Sequence, residues 1–296
     1  MHAHNSETNH AQDAKALFAN LSATPGVAKP DPIISASGVK RYFGGLNAVD
    51  VEKLQIQRHA ITALIGPNGA GKTTLFNLLT CFDKAQEGNW VFNGTEISGK
   101  GPDKVAKLGM VRTFQLTKSL YRLTVLDNMR LAAKQQRGES MILSPIRPLW
   151  KKQEAEVTQR ALELLDRFKL IDKKDDFAAA LSGGQRKLLE VARSLMVNPE
   201  LIMLDEPMAG VNPALKQSLL GHIKSLRDEG MTILFVEHDM DMVRDISDWV
   251  VVMAQGKIVA EGRPNEVMRN KDVIDAYLGS HHDVSLYESE EEEVQK

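Results

Sequence analysis

The chain is short of cysteine, of net charge and of long apolar runs, and each shortage excludes something. Cys81 stands alone, so no internal disulfide can form, which fits a reducing compartment. It reads as a small packing residue. The 37 basic and 39 acidic residues give a formal charge of −2 and are mostly interspersed, so no dedicated nucleic-acid surface is expected. No apolar stretch approaches the roughly 20 residues that span a bilayer, and the polar N-terminus lacks a signal-peptide core. The expected compartment is the cytoplasm. At 296 residues the chain can form one large domain or two ordinary ones, with a full core in either case.

What is present centres on Gly66-Pro67-Asn68-Gly69-Ala70-Gly71-Lys72-Thr73, between apolar Ile61–Ile65 and Thr74–Leu79. That is strand, glycine loop, helix. The spacing G-x-x-x-x-G-K-[ST] describes a phosphate cradle: glycines let the backbone approach an anion, successive N–H groups point inward, and the helix N-terminus adds positive potential. Lys72 then reaches the β- and γ-phosphates, and the Thr73 hydroxyl ligates Mg²⁺. A glycine turn that leads into a helix by chance is the bland alternative.

Residues 1–32 are polar, with Pro25, Pro30 and Pro32 closing the segment, and read as a flexible tail; the acidic 280–296 read as another. His2, His4, His10, His281 and His282 fall in these tails and read as unstructured rather than as metal ligands. Strands are expected around Ile33–Tyr42 and Ala48–Ile56, and a further β patch at Asn89–Ile97 turns at Asn93-Gly94. Tyr42 and Phe43 precede Gly44-Gly45, where an aromatic face could stack on a base; core packing competes with that reading. Between about 116 and 180 the pattern is helical, with Ala161, Leu164, Leu165 and Phe168 at helical spacing and a loop expected over 137–150. Beyond it, strand and helix alternate through Leu201–Leu204, Asn212–Leu226 and Thr232–Val236, with a final hairpin turning at Gln255-Gly256. That alternation implies a mostly parallel sheet covered on both faces.

Ligands of such sheets bind outside the carboxyl ends of the strands. Three strand ends carry suitable groups: the loop after Ile65, Asp205-Glu206 after Leu204, and His238 just beyond Val236. Asp205 can hold Mg²⁺ through water, and Glu206 can polarise the water that attacks the γ-phosphorus. Taken singly, each could be a solvated cap. Leu181-Ser182-Gly183-Gly184-Gln185 opens a helix and forms a second anion site. Two phosphate grips in one chain are most economically reconciled by a head-to-tail dimer, each loop closed by the other subunit's serine-glycine segment.

At these residues the chain resembles the ATP-binding cassette ATPases over about residues 33–279. The resemblance implies an α/β P-loop NTPase (RecA-like) core with an antiparallel β subdomain and an inserted α-helical subdomain, about 116–180. It makes Gly66–Thr74 the Walker A loop, with Gly66, Asn68, Gly69, Gly71, Lys72, Thr73 and Thr74 on the nucleotide. Phe43 becomes the adenine-stacking aromatic. Gln115 becomes the Q-loop residue, placed with nucleotide and metal beside Thr73 and Asp205. Leu181–Gln185 becomes the signature, with Ser182 and Gly184 on ATP, and Leu201–Glu206 the Walker B strand. Ala209–Asn212 becomes the D-loop and His238 the switch histidine. Asn212 departs from the aspartate many members carry.

Within the family, Val111–Gln115, Pro207–Pro213 and Asp272–Gly279 look like the branched-chain amino acid importer ATPases. The lipopolysaccharide export ATPase is similar in the last two. The implied protein is an ATP-hydrolysing subunit using ATP and Mg²⁺, peripheral on the inner face of the membrane. Its implied partners are transmembrane permease subunits, a second ATPase subunit and, indirectly, a substrate-binding protein. A soluble cassette acting on ribosomes or DNA and a nucleotide-binding regulator without turnover are the competing classes.

Overall fold

A computed structural model describes residues 14, 16–113, 118–133, 147–271 and 273–274. A long hairpin, β1 (Pro32–Phe43) and β2 (Leu46–Gln57), leads into β3 (Ile61–Ile65) and α1 (Lys72–Leu79). Then come β4 (Glu87–Phe92), β5 (Thr95–Glu96), α2 (Pro102–Lys107) and β6 (Met110–Arg112). Helices α3 (Val125–Leu131), α4 (Arg147–Arg167) and α5 (Gly183–Ser194) follow. The chain closes with β7 (Leu201–Asp205), α6 (Pro213–Asp228), β8 (Thr232–Val236), α7 (Met240–Ile246), β9 (Trp249–Ala254), β10 (Lys257–Gly262) and α8 (Pro264–Val267). None of the described helices is long and apolar enough to cross a membrane.

The strands form two sheets. An antiparallel one runs β2-β1-β4-β5, and a six-stranded one runs β10-β9-β3-β8-β7-β6, parallel except for the β9–β10 hairpin. Asn93 and Gly94, and likewise Gln255 and Gly256, hold positive φ, the paired left-handed geometry of two-residue hairpin loops. Alternation along the central strands separates two cores. Ile61, Ala63 and Ile65 of β3 and Ile202 and Leu204 of β7 face the helical side, while Leu64, Leu201 and Met203 face the antiparallel sheet. Both faces are covered, which is why β3 and β8 are fully buried along their length and apolar but for Thr62 and Thr232.

Ala161, Leu164, Leu165 and Phe168 are buried as their spacing predicts, in one cluster with α5 and α6 residues, so the helical lobe shares its core with the sheet. Two expectations need correction. Helix α4 already begins at Arg147, inside the loop expected over 137–150; Pro148 falls in its first turn, where a missing N–H costs nothing. The expected loose tail through residue 32 does not hold for residues 16–31. Phe18 is 1% exposed and stacks on Trp249 with ring centroids 4.9 Å apart. Lys29 Nζ lies 3.0 Å from Glu261 Oε2 and over the Trp249 ring, and Val27 N–H donates to Glu261 Oε1. A segment that polar in composition is nonetheless pinned by one aromatic and one buried ion pair. The tail histidines and 280–296 lie outside the described residues.

Candidate nucleotide-binding site

The glycine loop is shaped by what presses on it. A Cβ at Gly66 would sit 2.1 Å from the Met253 carbonyl oxygen, and one at Gly71 would sit 2.2 Å from that of Ala48. Gly69, with φ +75, has open space where its side chain would be. The loop is therefore packed on β9 and β2 from one side and vacant on the other, a cradle into which phosphate oxygens fit. Lys72 donates to the carbonyls of Gly66 and Pro67 at 2.7 and 2.9 Å, folding its ammonium back over the loop. Burial pulls that ammonium below the usual lysine range, and the charges of Glu206 and Asp205 act in the opposite direction. Thr73 and Thr74 stand in the first turn of α1, Thr73 exposed, and Asn68 is also exposed.

The order β3-β8-β7 brings three strand ends side by side. Asp205 ends β7. Glu206 follows with φ +45, a left-handed conformation that is unusual for glutamate, and its N–H donates to the Val236 carbonyl at 3.0 Å. His238 Nδ1 lies 3.9 Å from Glu206 Oε1, and both side chains are more than half exposed. Lys72, Asp205, Glu206 and His238 thus share one solvent-facing rim at the carboxyl edge of the sheet. Among the described residues no three His, Cys, Asp or Glu side chains could hold a metal together. A Mg²⁺ held by Thr73, Asp205 and a nucleotide's own oxygens fits that donor set.

Ser182 is the N-cap of α5. Its hydroxyl accepts from Gln185 N–H while the Gln185 side chain accepts from Ser182 N–H, a reciprocal cap that fixes the loop before the helix. Ser182 and Gly183 are exposed. Gly184 is buried against Leu215 and Val211, so the signature segment leans on the start of α6 rather than standing free. Asn212, the departure from aspartate, caps α6 through its side-chain oxygen on Leu215 N–H. Phe43 is half exposed, with Arg41 over one face at 4.3 Å and Arg41 in turn on Asp83 at 2.9 Å. Tyr42, also exposed, donates its hydroxyl to Glu87 Oε1. Gln115 lies outside the described residues.

Three participants escape a reading by motif. Arg112 donates to Asp205 Oδ2, Glu237 accepts two backbone N–H groups beside the site, and Arg41 backs Phe43. Only Glu237 carries a local signal, as an acidic residue directly after a buried apolar strand.

Comparison with known proteins identifies the family. The family described as "ABC transporter" matches residues 49–209, and "Branched-chain amino acid ATP-binding cassette transporter" matches 257–283. The "Probable branched-chain amino acid transport ATP-binding protein LivG" of Archaeoglobus fulgidus is 40% identical, covering 84% of this chain and 96% of its own. The "High-affinity branched-chain amino acid transport ATP-binding protein BraF" of Pseudomonas aeruginosa is 39% identical, covering 84% and 98%. Among solved structures, an ATP-binding cassette of an ABC transporter in its ADP conformation superposes with TM-score 0.74 at 38% identity, covering 84% of this chain and 99% of that one. A bacterial ABC transporter cassette solved as a dimer gives TM-score 0.66 at 25% identity, covering 78% and 98%. On the matched family model, on 40% identity to a named transport ATP-binding protein covered to 96% and on the shared fold, the chain belongs to the ATP-binding cassette family of transporter ATPases.

Proposed function

We propose that this chain is the ATP-hydrolysing motor subunit of an importer for branched-chain or other hydrophobic amino acids or related small solutes. The observation that carries the reading is the convergence of Lys72, Asp205, Glu206 and His238 at adjacent strand ends, in a chain similar to named branched-chain amino acid transport ATP-binding proteins. The backbone N–H groups that the 66–71 loop carries, Pro67 having none, and the Lys72 ammonium bind the β- and γ-phosphates, and the exposed ring of Phe43 takes the adenine. Thr73, Asp205 and Gln115 hold Mg²⁺, which when bound neutralises charge on the phosphate oxygens. Glu206 orients the attacking water and accepts its proton, and His238 beside it donates to the γ-phosphate oxygens.

The exposed Ser182 and the glycines after it close the site of a second copy or a second ATPase chain, as the dimeric relative suggests. ATP then favours the closed pair because only there does it touch both subunits, and loss of the γ-phosphate contacts lets the pair open. Permease subunits supply the transport path, meet this chain at the inner face of the membrane and receive a substrate-binding protein from the other side.

Glu206→Gln tests the reading. It should bind ATP, lose phosphate release by roughly 10²- to 10⁴-fold, the range a general base contributes, and accumulate as a dimer in size-exclusion chromatography with ATP. Wild-type turnover by a strictly monomeric variant would overturn both the base and the dimer.

A further inference from the structure

Glu206 stands in a disfavoured conformation. Its φ of +45 lies where side chains with a Cβ are uncommon, so bonds from outside the turn help to keep the proposed base in place. The turn is internally tied only by Ala209 N–H on the Glu206 carbonyl at 3.2 Å and Val211 N–H on that of Met208 at 3.1 Å. Two further bonds anchor it at the end of the neighbouring strand, one on Val236, the last residue of β8, and one on Glu237 just beyond it. Glu206 N–H donates to the Val236 carbonyl, and Met208 N–H donates to Glu237 Oε1 at 3.0 Å.

Glu237 is the unusual partner. It is a carboxylate with 1% of its surface exposed, and no lysine or arginine is recorded within ion-pair distance of it among the described residues. Its second oxygen accepts the N–H of His238 at 3.2 Å and lies 3.8 Å from His238 Nδ1. Burial pushes its carboxyl above the usual glutamate range, while the two backbone donors pull the other way. A carboxylate placed so expensively, with each oxygen committed to a different loop, does more than fill space.

We infer that Glu237 is a positioning residue that joins the turn carrying Glu206 to the backbone of His238, setting the two groups at one separation through its two oxygens. The inference rests on the reading of Glu206 as the base. It explains why a charged residue sits between an apolar strand and the histidine. A threonine hydroxyl or an apolar side chain at 237 could satisfy one of these N–H groups or neither.

Two substitutions grade the effect. Glu237→Gln keeps one acceptor and sets an amide against the other N–H; Glu237→Met keeps the size and removes both. Phosphate release should fall about 10-fold in the first and about 100-fold in the second, the scale of an ångström of misplacement. The dissociation constant for a fluorescent ATP analogue should stay within about 2-fold, because Lys72 and the loop are untouched. Amide exchange at Met208 should accelerate at the same time. Unchanged phosphate release in Glu237→Met, with Glu206→Gln inactive, overturns this inference alone. A fully active Glu206→Gln removes the base reading and, with it, this inference. Nucleotide affinity falling in parallel with turnover also overturns the inference, since it would mean general damage to the site. If both Glu237 variants fail to fold, exchange at Met208 in the wild type decides: protection of at least about 100-fold supports the bond, and exchange at the free-chain rate overturns it.

Discussion

The Arg112 guanidinium donates to Asp205 Oδ2 at 2.6 Å and, through its other terminal nitrogen, to Oδ1 of Asn77 on the helix behind the phosphate loop. Arg112 is the last residue of the edge strand β6, and its side chain is 9% exposed. One cation therefore links the strand that leads toward Gln115, the carboxylate proposed for the metal and the helix that carries Lys72.

Replacing Arg112 with Met should take from Asp205, whose side chain is 27% exposed, its hydrogen-bonded cation. A loss of about 1–3 kcal/mol is expected, since Asp205 retains partial access to water. Mg²⁺ with ATP should raise the melting temperature of the variant by more than it raises that of the wild type, because the cation replaces the missing charge. Equal shifts in the two proteins would count against the link.

Phe43→Ala removes the more exposed of the two rings at the β1–β2 tip. ATP affinity should drop by about 10-fold, the lower part of the range for stacking one base, with tripolyphosphate affinity unchanged. Arg41→Met should weaken ATP in the same direction and by less, since it only frees the ring to rotate. Titration calorimetry with both ligands separates base from phosphate contributions.

The N-terminal strap should be worth as much as a core element. Phe18→Ala takes a fully buried ring off Trp249 and should cost about 3–5 kcal/mol. Lys29→Met strands the buried Glu261 carboxylate, which keeps its bonds from Trp249 Nε1 and Val27 N–H but loses its cation; a similar loss is expected. Urea denaturation measures both. Phosphate release well below the transition should be unaffected, because neither residue reaches the site.

Glu190 on α5 gives a pH dependence with a definite sign. Burial raises its carboxyl above the ordinary 4.5, against the opposing influence of Lys187, the Thr113 hydroxyl and Arg193. Between 4.5 and the raised value the folded chain keeps a proton that the unfolded chain has lost. The stability tied to the protonated form is full below about 4.5 and is lost as pH rises through the folded value. Glu190→Gln has no such proton, so its stability relative to wild type should climb with pH across that window and level off on either side. Denaturant midpoints of both proteins from pH 4 to 8 test this, and a flat difference would contradict it.

Several parts of the fold are legible as local pattern. The cradle around Lys72, the hairpin at Asn93-Gly94, the cap at Asn212 and the apolar strands before Asp205 and His238 each need only a few consecutive residues to be recognised. Edge strand β6 is three residues long and carries too little alternation to stand out. Helix α4 begins earlier than expected because a proline in a first turn looks, in sequence, the same as a proline in a loop.

The residues alone determined which groups this protein possesses: a glycine-lined phosphate loop with its lysine, carboxylates and a histidine after buried strands, and a serine poised to cap a helix. Those signals follow from backbone periodicity, turn chemistry and capping, which act over a handful of positions. Folding decided which of them meet. Phe18 finds Trp249, Arg112 finds Asp205 and Glu237 reaches back to Met208 only because β9, β7 and β8 lie where the sheet order puts them. No short-range preference encodes such pairings, since they are selected by the burial of the whole core.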